Sequence, residues 1–150
     1  MSNGATSKRA AKARVETVEA HRAKRDDRLL DAVVTSASLV ASADGRIAAV
    51  ERDQVADFLT GTGFLAAFSR DEILAAFDHR TRDLADHGSA ELAVASLERF
   101  AGLSAARLIA NAGEQVAAAD GEITVHELHM LRLIRAALTS PPGLSRRNLR

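Results

Sequence analysis

The chain has 150 residues, of which 47% are hydrophobic and 27% charged, and its formal net charge is zero. These values suit one domain around a single core and leave little room for a second. The absence of cysteine excludes disulfides, thiolate metal sites and cysteine nucleophiles. Five Phe with no Trp or Tyr, and no alternating runs of β-branched residues, favour close-packed helices over a sheet.

The neutral total conceals a division of charge. Residues 1–25 carry seven Lys/Arg against Glu16 and Glu19, and Arg146, Arg147 and Arg150 close the chain, so the body between is acidic. Residues 1–28, rich in Ala, Lys and Arg without a clean apolar stripe, read as a basic arm that is disordered or marginally helical. Such an arm can touch a membrane surface or nucleic acid, although without aromatics for base stacking the second is weak. The simpler expectation is a solvated or partly helical arm, for which the acidic body offers a surface to fold onto. No apolar stretch approaches the ~20 residues of a membrane span. No apolar segment follows the N-terminal charges as it would in a secretory signal, and the expected location is the cytoplasm.

In chain order, Leu30, Val33, Val34, Ala37, Val40 and Ala41 follow helical spacing from Leu30 to Ala43, and Gly45 is placed to end that helix. A second helix is expected over Val50–Leu59, with Val55, Phe58 and Leu59 inward and Gly61 and Gly63 as punctuation. Ser69 and Glu72 form a capping box that opens a third, carrying Ile73, Leu74, Phe77 and Leu84 and closed by His87-Gly88. Ser89 is an N-cap candidate for Ala90–Ala101, with Leu92, Val94, Leu97 and Phe100 inward and Gly102 at its end. Ser104 is expected to cap a helix whose stripe is Leu108, Ile109, Ala112, Val116 and Ala119. In the last helix Thr124 and Glu127 make a capping box, Leu128, Leu131, Ile134 and Leu138 give the stripe, and Pro141-Pro142 stop it. The expectation is an all-α domain over residues 29–139, a bundle of six to seven helices, followed by a basic tail over 140–150.

One motif occurs twice, as Ala43-Asp44-Gly45-Arg46-Ile47-Ala48-Ala49-Val50-Glu51 and Ala119-Asp120-Gly121-Glu122-Ile123-Thr124-Val125-His126-Glu127, with the copies 76 residues apart. Each places Asp-Gly after an apolar helix and a glutamate in the first turn of the next, so the chain carries two similar helix-turn-helix units with acidic corners.

With this pair of motifs, the small-residue segment Ala37-Ser38-Leu39-Val40-Ala41-Ser42-Ala43 before the first copy, and Asp31 thirteen residues ahead of Asp44, the chain resembles the tellurite-resistance TerB proteins and the wider TerB-like domains. The resemblance spans roughly Leu29 to Leu138 and leaves out the arm and the tail. It implies a compact helical cytoplasmic domain, tied to tellurite resistance and stress-response systems, with metal-chelating acidic residues and no catalytic activity. A partner would be another protein of a stress-response system, with no small-molecule substrate. The matching positions are Asp44 and Glu51, Asp120 and Glu127, and Asp31.

On the residues themselves, Ca²⁺ wants about six to eight oxygen ligands and neither copy alone supplies them. The glycine and glutamate fall too early for an EF-hand loop. The second copy is the better candidate for Ca²⁺, Mg²⁺, Mn²⁺ or Zn²⁺, because Asp120, Glu122, Thr124 and Glu127 all offer oxygens. In the first copy Arg46 and Ala48 stand in place of Glu122 and Thr124, and Arg46 repels a cation. On one continuous helix Asp31 lies ~20 Å from Asp44, too far for a shared site. It can meet Asp120 if the motif-bearing helices run antiparallel, whereas a pseudo-two-fold packing gathers Asp44, Glu51, Asp120 and Glu127. The competing expectation is a metal-free interaction module in which these carboxylates only cap helices. His126 and His129 lack the His-Glu-x-x-His order and read as surface residues. Gly61-Thr62-Gly63 is too little for a phosphate loop and no hydrolase motif occurs, so no enzyme is expected.

Overall fold

Six helices and no strand form among the residues that the computed structural model describes, 27–43, 45, 49–119 and 121–139. They are α1 (27–42), α2 (Ala49–Thr60), α3 (Arg70–His87), α4 (Ala90–Ser96), α5 (Ala105–Ala118) and α6 (Val125–Thr139), with 3-10 turns at Gly63–Leu65 and Leu97–Phe100. The all-α expectation therefore holds; residues 27 and 28, expected in the arm, already belong to α1, while the rest of the arm, where a seventh helix would fall, and the tail lie outside the described residues.

α1 is the centre. Its expected stripe is buried, and so are Ala32, Thr35, Ser36, Ser38 and Leu39, leaving only Asp27, Arg28 and Asp31 exposed between residues 27 and 41. A helix buried all round is one that others surround. Small side chains permit this. The Thr35 hydroxyl donates to the Asp31 carbonyl at 2.6 Å, while the Ser36 and Ser38 hydroxyls, both fully buried, meet no hydrogen-bond partner among the described residues.

The two motif units interlock. α2 of the first lies against α5 of the second, and α5 against α6. At Gly113, buried on α5, an added Cβ would stand 3.0 Å from Ser36 Oγ, 3.1 Å from Val40 Cγ2 and 3.2 Å from Leu131 Cδ2. Glycine is thus what lets α5 approach α1 and α6. At the 76-residue offset of the motif Gly113 pairs with Ala37, and the buried residues Val40 and Val116, Ala41 and Ala117, and Val55 and Leu131 also pair.

α3 lies beside α2. It buries Ile73, Phe77 and Leu84 and opens as expected, the Ser69 hydroxyl accepting from the Glu72 N–H at 3.1 Å. Its polar flank is joined to α1 and α2 by arginine–aspartate pairs. Arg52 grips Asp78 at 2.8 Å and 2.7 Å, Arg70 meets Asp57 and Asp53, and Arg80 meets Asp31 and Asp83. The hydrogen bonds and charge of Arg52 hold the Asp78 carboxyl below the usual carboxylate range. A depressed folded-state pKa adds stability above the unfolded value of about 4, and that stability disappears as pH falls through the folded value. Asp78→Asn should therefore lower the melting temperature slightly at neutral pH and low salt. The difference from wild type should shrink in acid and in high salt. An undiminished difference in high salt would show that Asp78 acts through packing instead.

Two expectations fail between Gly88 and α5. α4 ends at Ser96, and its residues include none that is fully buried; Leu92 is 72% exposed and the burial falls to Leu97 in the 3-10 turn. Seven residues make too short a helix to turn a full stripe inward. Neither serine caps. The Ser89 hydroxyl turns back to donate to the His87 carbonyl at 3.2 Å, and Ser104 already has helical φ and ψ of −59° and −31°, whereas an N-cap needs an extended backbone.

Candidate functional site

Both corners are built alike. In the first, the Ala43 N–H donates to the Val40 carbonyl at 3.2 Å and the Gly45 N–H to the Ser42 carbonyl at 3.1 Å. In the second, the Ala119 N–H donates to the Val116 carbonyl and the Gly121 N–H to the Ala118 carbonyl, both at 3.2 Å. Gly45 and Gly121 take φ of 80° and 82°, the left-handed backbone that favours glycine and lets the chain leave the helix. The next helices then start at equivalent residues, Ala49 and Val125.

The motif glutamates occupy the third position of these helices, and both are buried, Glu51 to 5% exposure and Glu127 to 2%. In α6 this revises the expected stripe. The inward row is Glu127, Leu131, Ile134 and Leu138, while Leu128 is 40% exposed. A carboxylate thus stands where the apolar pattern suggested leucine. A charge withdrawn from water needs donors or a cation around it, or it gives up its ionised form.

Around Glu127, the Thr124 hydroxyl accepts from its backbone N–H at 3.1 Å, the capping bond the sequence led us to expect. Thr124→Ala should destabilise the fold by about 1 kcal/mol in urea denaturation. An unchanged midpoint would show that the bond is dispensable. Glu122, His126 and His129 are exposed, as expected for the histidines. Asp44 and Asp120 lie outside the described residues, as do Arg46, Ile47 and Ala48. Among the described residues no three His, Asp or Glu side chains are grouped so that they could hold a metal ion. Asp31 is on the exposed side of α1, engaged by Arg80. Since α1 is continuous, residue 31 sits about 16 Å along the axis from its last residue before the first corner.

Sequence reasoning missed the depth of the two glutamates and the close approach at Gly113. The signal for the second was the register of the repeats, which sets Gly113 opposite Ala37, two small residues at matching points of two apolar helices.

The profile of the tellurite resistance protein TerB family matches residues 30–147. The chain belongs to the TerB family. The match takes in both corners and all six TerB-like helices from Leu30 onward, and it continues beyond α6. No curated protein and no solved structure matched the chain. No described helix of this TerB-family chain is long and apolar enough to cross a membrane.

Proposed function

We propose that this TerB-family chain is a non-enzymatic cytoplasmic protein of a tellurite or general stress response that binds a divalent cation at its second acidic corner. The burial of Glu127, seven residues after Asp120 in the repeated motif, carries the reading. Asp120 and Glu127 would be the principal ligands and Glu122 and Thr124 local oxygens. Asp44 and Glu51 would form a weaker counterpart, since Arg46 opposes a cation there. Asp31, committed to Arg80, would contribute least. A hard cation held by these oxygens would tie the end of α5 to the start of α6. With no cysteine in the chain, any role in tellurite resistance would be exerted through a protein partner, not by thiol chemistry on tellurium.

The Thr124–Glu127 capping bond favours a second reading, a metal-free interaction module whose acidic corners only close helices. A thermal melt of chelator-stripped protein, repeated with Ca²⁺, Mg²⁺, Mn²⁺ and Zn²⁺, separates the two. Binding to the native state raises the melting temperature and capping does not respond to cation. The expected result is a cation-specific rise that is lost in the double variant Asp120→Asn, Glu127→Gln and retained in Asp44→Asn. No rise with any of the four cations would leave the interaction module standing.

A further inference from the structure

We draw no further inference here: the strongest candidate, the exposed apolar side chains Ile123, Val125 and Leu128 where the second corner enters α6, carries nothing because nothing in the structure shows what covers it.

Discussion

Gly113→Val should lower the stability of the protein by about 1–3 kcal/mol or more, read as a fall in the urea midpoint at unchanged slope. The first added carbon already comes within 3.0–3.2 Å of Ser36, Val40 and Leu131, and valine adds two more in a helix where its χ1 is nearly fixed. Gly113→Ala sets two effects against each other. Alanine gains roughly 0.5–1 kcal/mol of helix preference over glycine, but α1, wrapped on every side, has little room to retreat. The nearest atom is the Ser36 hydroxyl, which is buried without a hydrogen-bond partner among the described residues. Ser36→Ala removes both that contact and the desolvated hydroxyl. Gly113→Ala should therefore be better tolerated in the Ser36→Ala background, with a coupling of at least about 0.5 kcal/mol in a double-mutant cycle. Strict additivity, or a harmless valine, would show that the helices do not approach as closely as the geometry requires.

Phe77→Ala should have the largest effect of any single truncation, about 3–5 kcal/mol. Phe77 heads the fully buried side chains by size and is the aromatic anchor of α3, with Ile73 and Leu84 on the same face. In a domain of this size such a loss lowers the melting temperature on the order of 10–20 °C. The arginine–aspartate pairs along the other flank of α3 cannot compensate. Their partners remain partly in water, where each charge is already solvated and the pair adds little. The comparison with Asp78→Asn makes the claim testable within one helix. If the aspartate variant proved as damaging as the alanine one, α3 would be held by its charges and the apolar account of its docking would fail.

How far the fold was legible in the sequence depended on whether a signal was local. Asp-Gly after an apolar helix announces a left-handed turn, and both corners form with matching hydrogen bonds. Ser69 with Glu72 and Thr124 with the Glu127 N–H also behave as their spacing indicates. Ser89 and Ser104 look the same in sequence, but capping depends on the backbone angles at the serine, which the neighbouring chain sets. Leu92 and Leu128 were placed inward by periodicity. Burial follows the position of the neighbouring helices, and these leave Leu92 outside and turn α6 so that Glu127 takes the inward row. The candidate site was legible as a set of residue types at a repeated spacing. The depth of its glutamates was not, because a hydrophobic pattern treats a carboxylate as a surface residue. Asp31 enters through family likeness, and its engagement by Arg80 depends on α3 reaching α1 from 49 residues away, which no local spacing encodes.

The enclosure of α1 also bears on how the chain reaches its native state. A simple up-and-down bundle can zip together from sequence neighbours, each hairpin closing a short loop. Here the earliest described helix of the body is closed over by α5, with Leu131 of α6 reaching the same point, as the crowding of Ser36, Val40 and Leu131 around Gly113 shows. Those partners lie at the other end of the chain. The entropy of closing that long intervening segment must be met before most of the contacts that reward it exist. Folding should accordingly be slow for an all-helical protein of this length, and late in synthesis, since the C-terminal helices must emerge before α1 can be enclosed.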